Sequence, residues 1–301
     1  MMRIRHERKP LDWHLGDIEQ RFGFSGGKYT DVNTWFALLA TALVAGGFFI
    51  ALCHVPADVR KWKAIQMVLE RGWTPYAMVA LFVLALMILW IKSRKLAFQK
   101  KAFKVELIPV GASFALTPET AVDVLKTLNE QVDDPKRFVL FNRIERALLN
   151  LKNVGNLSDV SEMLRAQAEN DENHMDSSYG LIAGIVWVIP ILGFIGTVTG
   201  LSGAIGGFGA VLNTDASVSS LRDNLAPVTA NLGIAFDTTF VALVLAMVIQ
   251  MATTFLRKRE ELFMDACRDY AHNNVISKLH ITAHANLVRD NAVSGDDTGG
   301  K

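Results

Sequence analysis

The chain has 301 residues, of which 50% are hydrophobic and 20% are charged, and its mean hydropathy is +0.24. This is more apolar than one soluble core requires, so the excess must lie in particular segments. The formal net charge of +1 gives no general attraction to a polyanion, and nucleic-acid binding therefore has no compositional support.

Apolar residues concentrate in four segments, each close to the ~20 residues that a helix needs to cross ~30 Å of hydrocarbon. These segments cover residues 34–54, 75–91, 180–212 and 227–256. Mostly polar residues precede the first segment, which is therefore predicted to be an anchor and not a cleaved signal peptide. The predicted fold class is an all-α membrane protein with four transmembrane helices, a helical cytoplasmic insertion and a C-terminal helical tail.

Lys and Arg near the helix ends predict the orientation, because positively charged flanks stay cytoplasmic. Such clusters precede the first segment, follow the second and follow the fourth, which predicts that both termini are cytoplasmic. The loop between the first two segments opposes this with four cations at residues 60–71. The predicted regions are a cytoplasmic N-terminal segment (1–33), a first transmembrane pair (34–91), a cytoplasmic helical region (92–178), a pore-lining transmembrane pair (179–256), and a cytoplasmic helix with a disordered tail (257–301).

The cytoplasmic region has apolar residues at helical spacing. Thr117 followed by Pro118 predicts a helix start, with a hydroxyl N-cap and proline at the first helical position. A second helix from Phe138 has an amphipathic face, and a third, short helix is expected over about residues 158–168. After residue 257 the chain is expected to continue as a helix through Tyr270, and residues 294–301 are predicted to be disordered.

The third apolar segment contains glycines at steps of three and four residues: Gly193, Gly196, Gly200, Gly203 and Gly207. Such a seam lets helix backbones approach closely and pack by van der Waals contact in lipid. A purely structural packing seam is one interpretation, which applies above all to Gly196, Gly203 and Gly207. Pro190 is expected to bend this helix or loosen its hydrogen bonding.

A small-residue stripe on each of the last two apolar segments carries one hydroxyl group. The stripes comprise Pro190, Gly193, Thr197, Gly200 and Ala204 on the third segment, and Ala235, Thr239, Ala242, Ala246, Gln250 and Thr253 on the fourth. Thr197 and Thr239 lie at about the same depth, roughly 27 to 29 Å from the cytoplasmic helix ends at about 1.5 Å per residue. Small faces with a hydroxyl suit a hydrated pore or another helix better than lipid, although a threonine in a membrane helix often bonds only its own backbone.

Asp237 is an acidic residue inside the fourth apolar segment, and intramembrane carboxylates are candidate functional groups because they are costly. It lies about 200° around the helix from Thr239, at ~100° per residue, so it is not expected on the Thr239 face. Two roles stay open: a hydrogen-bonding group between the last two helices, or part of an ion path.

Two stretches resemble the last two membrane helices of the MotA/TolQ/ExbB proton-channel family. Residues 189–201 read IPILGFIGTVTGL, and residues 225–227, LAP, precede LGIAFDTTFVAL at residues 232–243. The family pattern there is P-x-L-G-L-L-G-T-V-x-G followed by T-x-x-G-L. RIERAL at residues 143–148 is similar to the family's cytoplasmic helix, and the resemblance covers roughly residues 140–256.

The resemblance implies a homopentamer that surrounds the transmembrane helices of two partner chains similar to MotB, TolR or ExbD. Flow of protons, or alternatively of sodium ions, past an Asp of the partner would drive rotation or work across the envelope. The resemblance implies no cofactor. Thr197 and Thr239 match the family threonines that line this path. Ala242 and Val248 stand where Gly and Pro are usual.

The expected function is therefore a channel-forming stator subunit of the bacterial inner membrane. The sequence has no Walker loop, GxSxG, HExxH or CxxC motif, so neither an enzyme activity nor a metal site is predicted. The alternatives are a structural membrane scaffold held together by the glycine seam, and a solute transporter, for which no inverted repeat is found.

Overall fold

The computed structural model describes residues 11–54, 56, 65–67, 72–105, 107, 116–154, 157–212 and 218–278. Within these ranges the chain is helical, without a strand, and Leu11 and Val132 form an isolated parallel bridge. The α-helices are α1 (Trp13–Gly16), α2 (Ile18–Arg21), α3 (Thr34–Cys53), α4 (Thr74–Gln99), α5 (Pro118–Gln131), α6 (Val139–Val154), α7 (Leu157–Ser177), α8 (Gly180–Leu212) and α9 (Val218–Ala271). Short 3-10 helices cover Lys100–Lys104 and Pro135–Arg137, and a π-helical turn covers His272–Ile276.

Four helical stretches are long and apolar enough to cross a membrane: Thr34–Leu52, Thr74–Lys104, Asp159–Phe208 and Leu225–Ile276. This confirms the predicted all-α membrane fold with four spanning helices. The helices extend beyond the apolar segments: α4 continues past residue 91 to Gln99, and α9 begins before residue 227, at Val218. Pro190 lies inside the continuous helix α8.

The chain divides into two compact units. The polar unit comprises Met1–Asn33, Ile91–Ser178 and Arg257–Lys301, and the apolar unit comprises Thr34–Trp90 and Tyr179–Leu256. In the polar unit, the predicted face of α6 is buried at Phe141, Ile144, Ala147 and Leu148, as is Phe138 directly before the helix. The predicted start of α5 is also confirmed, since Thr117 caps the helix through a capping box with Thr120.

One helix of the polar unit is longer than predicted. Helix α7 was expected to end near residue 168 but continues to Ser177, because Asp171 and Met175 are buried in its polar-looking second half. On the C-terminal part of α9, Leu262 is exposed, whereas Phe263 and Cys267 are buried. The predicted helix through Tyr270 is present, and its inward face contains Phe263 and Cys267.

Residues 11–33 of the N-terminal segment pack into the polar unit, which their mostly polar sequence did not predict. Trp13 is buried against Phe98 and Phe138, with ring centroids 5.5 and 5.0 Å away. Buried Lys95 pairs with the equally buried Glu19 at 2.7 Å and also donates to the main-chain oxygen of Asp31 at 2.7 Å. A buried charge is tolerated when it is paired and hydrogen-bonded, so these contacts explain how a lysine can lie inside this unit.

A second buried network joins the N-terminal segment to α6 and α7. Arg143 donates from Nε to Oδ2 of Asp171 at 2.9 Å, and both side chains are almost completely buried. Oδ1 of the same carboxylate accepts from Tyr29 at 3.0 Å and from Gln167 at 2.9 Å. Burial, and then the charge of Asp171, raise the pKa of Tyr29, so its hydroxyl stays a neutral donor.

Several sequence-based predictions lie outside the described residues. They concern the N-terminal cations Arg3, Arg5, Arg8 and Lys9, the opposing cations at residues 60–63 and 71, and the disordered tail at residues 294–301.

Candidate functional site

The glycine seam of α8 lies against α9 of the same chain. A methyl group added at any of the five glycines would lie 2.4 to 3.2 Å from an atom of α9. The nearest atoms are Cβ of Ala242 for Gly193 at 2.4 Å, Oγ1 of Thr238 for Gly196 at 2.6 Å, N of Ala235 for Gly200 at 2.8 Å, Nδ2 of Asn231 for Gly203 at 3.1 Å, and Cγ2 of Val228 for Gly207 at 3.2 Å. Contacting carbon atoms are ordinarily about 3.5–4.0 Å apart. The two helices therefore approach this closely because the seam has no side chains.

The small residues of α9 form the other side of this contact. Ala235 and Ala242 are completely or almost completely buried, and Ala246 is buried, as is Ala204 on α8. Large residues of α9 point away, since Phe236, Phe240 and Met247 are 67%, 61% and 60% exposed. The small residues lie on one face of α9, as the sequence predicted, and this face packs on α8 of the same chain.

The buried face of α9 departs from the predicted stripe beyond Ala246. Gln250, which the spacing placed on the small face, is exposed, whereas Ile249 is buried. Thr253 is half-buried and its hydroxyl donates to the main-chain oxygen of Ile249 at 2.8 Å. Beyond Ala246 the buried face of α9 therefore passes through Ile249, and Gln250 does not belong to it.

The two threonines of matched depth lie together. Their Oγ1 atoms are 2.5 Å apart, so one hydroxyl donates to the other. Each hydroxyl also lies near the main-chain oxygen of Gly193, at 3.0 Å for Thr197 and 3.3 Å for Thr239. Thr239 has a second main-chain acceptor at 3.3 Å, the oxygen of Ala235. The result is a compact polar group between two otherwise apolar helices.

Hydrogen-bond capacity determines what this threonine pair can do. Each hydroxyl has one proton to donate and two lone pairs to accept with, so the pair has two protons and four lone pairs. Both protons have acceptors nearby, while their mutual bond occupies one lone pair. Three lone pairs therefore remain, and both residues are half-buried and not sealed. The pair can accept hydrogen bonds from water, from a protonated group or from a hydrated cation.

Two further polar residues in this contact were not identified from the sequence. Thr238 is completely buried against Gly196, and its hydroxyl bonds the main-chain oxygens of Ile234 and Ala235 at 3.0 and 3.1 Å. The half-buried Asn231 lies against Gly203. The signal was present, because Asn231, Ala235, Thr238 and Ala242 recur at steps of four and three. This stripe runs beside the one through Thr239 that the sequence comparison with the family singles out.

Asp237 and Pro190 are both half-buried. Asp237 lies between the exposed Phe236 and the buried Thr238 and forms an interaction with another group. Pro190 has no amide proton, so the first half of α8 has one main-chain acceptor without its usual partner. It lies three residues before Gly193, whose own main-chain oxygen receives the threonine hydroxyls.

Comparison with known proteins gives one family match. Residues 131–268 match the sequence model of the MotA/TolQ/ExbB proton channel family. No curated protein and no solved structure matches the chain. The matched region includes the glycine seam, both threonines, Asp237 and the buried Arg143.

The family is one of channels and not of enzymes, and its members act in energy-transducing complexes with a partner of the MotB, TolR or ExbD type. Four apolar helices make the chain a multi-pass membrane protein. Residues 131–268 of this membrane protein are thereby identified as a region of the MotA/TolQ/ExbB proton channel family.

Proposed function

We propose that this chain is the channel-forming stator subunit of a proton-driven motor in the bacterial inner membrane. Five copies would surround two single-helix partners of the MotB, TolR or ExbD type, and ion flow would be coupled to mechanical work. Both termini and the polar unit would lie in the cytoplasm. The observation that supports this most is the threonine pair, which puts unused acceptor capacity inside an apolar helix pair.

The threonine pair requires a second group to complete an ion path. Hydroxyl groups accept and donate hydrogen bonds but do not release protons near neutral pH, so a titratable carboxylate must supply the proton-carrying step. Asp237 is two residues from Thr239, about 200° around the helix at ~100° per residue, and is poorly placed for this. The carboxylate would therefore come from an Asp on the partner helix, facing Thr197 and Thr239.

The edge of the contact between the small faces of α8 and α9 would meet that partner helix. Thr197 and Thr239 are half-buried, whereas Ala235 and Ala242 behind them are buried. The threonines thus lie towards the edge of the α8–α9 contact, and in a ring of subunits this edge would face the central axis. Pro190 would belong to the same lining. Gly193 and Gly200, which the sequence placed on the hydroxyl-bearing stripe, are buried against Ala242 and Ala235, and with Gly196, Gly203 and Gly207 they would serve packing.

The scaffold alternative loses its main support. It was based on the glycine seam acting between copies of the chain, but the seam contacts α9 of the same chain. A sodium path is the nearer alternative, because hydroxyl and main-chain oxygens are also ligands that hard cations prefer.

Proton flux into sealed vesicles tests the proposal. The chain would be reconstituted alone, with its single-helix partner, and with the partner's Asp changed to Asn, and flux would be followed with an enclosed pH-sensitive dye. We expect flux only with the intact partner, because Asp237, the acidic residue of the chain nearest the threonine level, is about 200° around the helix from Thr239. Equal flux in all three preparations would contradict the proposal. Sodium-dependent but pH-independent transport would assign the ion as sodium, and no transport of either ion would favour the scaffold.

A further inference from the structure

A cavity of about 440 Å³ lies in the polar unit. It is bounded by α6, by α7 and by the end of α9 with the π-helical turn His272–Ile276. Its volume is within the range of about 300–1,000 Å³ that is usual for small-molecule sites. Single π-helical turns occur frequently at functional sites.

One residue that lines the cavity, Arg143, has an incompletely bonded guanidinium group. Arg143 is 1% exposed, and two of its three nitrogens have partners, Asp171 for Nε and the sulfur of Met264 for Nη2. Nη1 is buried and has no hydrogen-bond partner within the described residues. An unmade hydrogen bond on a buried charged group is costly, so an acceptor supplied by a ligand would remove this cost.

Two further donors line the same cavity. The Ser161 hydroxyl and the exposed guanidinium of Arg165 are one helical turn apart on α7, and neither has a hydrogen-bond or ion-pair partner in the described part of the chain. Arg268 on the opposite wall is already paired with Glu172. Residues with donors that lack acceptors thus line the cavity on both α6 and α7.

The charges limit what the ligand can be. Arg143 is balanced by Asp171 and Arg268 by Glu172, while the exposed Glu169 lies one turn from Arg165 at the rim. No large positive excess is available to bind a polyanion, but a single oxyanion can be held by the fork geometry of an arginine. Leu164, Ala168 and Ile276 supply an apolar wall beside these donors.

We propose that this cavity is a binding site for a small organic carboxylate with an apolar body. The carboxylate would accept from Nη1 of Arg143, the Ser161 hydroxyl and the Arg165 guanidinium, and the apolar body would lie along Leu164, Ala168 and Ile276. The site is distinct from the ion path and does not depend on the proposed channel function.

Binding of 4-fluorobenzoate to the full-length protein tests the proposal, with the fluorine NMR signal as readout. The uncharged 4-fluorobenzamide has nearly the same shape and tests the need for the charge. We expect saturable binding of the benzoate and at least about ten-fold weaker binding of the amide, because a charge-assisted hydrogen bond typically contributes that factor or more. Equal binding of both probes, or saturable binding of neither, would overturn the proposal.

Variants locate the binding. Arg165→Gln and Ser161→Ala change residues without other partners, so the fold should be kept. Benzoate affinity should fall by about ten-fold in Arg165→Gln. Ala168→Leu should block the cavity, and Lys126→Gln, which removes an exposed cation of α5 that does not line the cavity, should leave affinity unchanged. Unchanged affinity in Arg165→Gln and Ala168→Leu would show that the probe binds elsewhere and would contradict the site.

Discussion

Moving one methyl group from α9 to α8 tests the close contact on which the threonine pair depends. In Gly193→Ala the new methyl would lie 2.4 Å from Cβ of Ala242, whereas its next neighbours, the main-chain oxygen of Thr238 and Cα of Thr239, are at an ordinary 3.4 Å. The conflict is therefore with the Ala242 methyl alone. Ala242→Gly removes that methyl, so the double variant exchanges the two side chains between the helices.

The expected magnitudes follow from this geometry. Gly193→Ala must push the helices apart by about 1 Å to restore an ordinary carbon contact, and overpacking of this kind costs about 1–3 kcal/mol. Separation also stretches the Thr197–Thr239 hydrogen bond, which in a membrane contributes about 0.6 kcal/mol or more. Ala242→Gly alone should cost about 1 kcal/mol through helix propensity and lost contact. In the double variant the propensity changes cancel, and stability should return to within about 1 kcal/mol of the original protein.

The assay is the free energy of unfolding of the purified protein in bicelles, measured for the original chain, both single variants and the double variant. Gly206→Ala is the matched control, because no described atom lies within 4 Å of a methyl group there. Additive single effects, with no coupling in the double variant, would refute the proposed contact. If the free energy of unfolding fell as much in Gly206→Ala as in Gly193→Ala, the distinction between the seam and the other glycines would be refuted.

Three further predictions follow from other parts of the molecule. The purified chain is expected to be a pentamer, and a native mass equal to a monomer or dimer in gentle detergent would contradict the proposed assembly. Asp237→Asn should keep oligomer yield and transport if the carboxyl only bonds neighbouring helices, a bond of about 0.6–2 kcal/mol; lost transport at normal yield would place Asp237 on the ion path. Tyr29→Phe removes a buried donor to Asp171 and should cost about 1–3 kcal/mol near neutral pH. Because folding raises the pKa of Tyr29, this tyrosine stabilises the folded protein fully below its unfolded pKa of about 10, and the stabilisation is lost as the pH rises further. The free energy of unfolding of Tyr29→Phe should therefore decrease less steeply at alkaline pH than that of the original protein.

The sequence predicted the spanning helices and the small faces because both depend on local composition and period. Long apolar runs can only be helices in lipid, and glycines at steps of three and four residues must share one side of such a helix. The similar depth of Thr197 and Thr239 could also be predicted, because the rise per residue determines how deep each residue lies in two antiparallel helices. The family resemblance was recognised on the same residues.

The polar unit was less predictable because its contacts join residues far apart in the chain. Lys95 pairs with Glu19, and Tyr29 bonds Asp171, across separations that no local pattern encodes. Lys92 and Lys95 were interpreted as orientation signals beside a membrane helix, yet both are buried ion-pair partners. Thr238 was missed for another reason: the stripe through its neighbour Thr239 contained the residue that matched the family, and the adjacent stripe was not followed.

The role of the two threonine hydroxyls is tested most directly by proton flux through vesicles that contain the chain and its single-helix partner. Thr197→Val and Thr239→Val each remove one hydroxyl at nearly constant volume, and Thr199→Val is the control because that hydroxyl bonds the main-chain oxygen of Gly196 in its own helix. The account predicts normal assembly in all three variants, flux close to the original in Thr199→Val, and loss of most flux in the other two. Full flux in both Thr197→Val and Thr239→Val would contradict the assignment of this pair to the ion path.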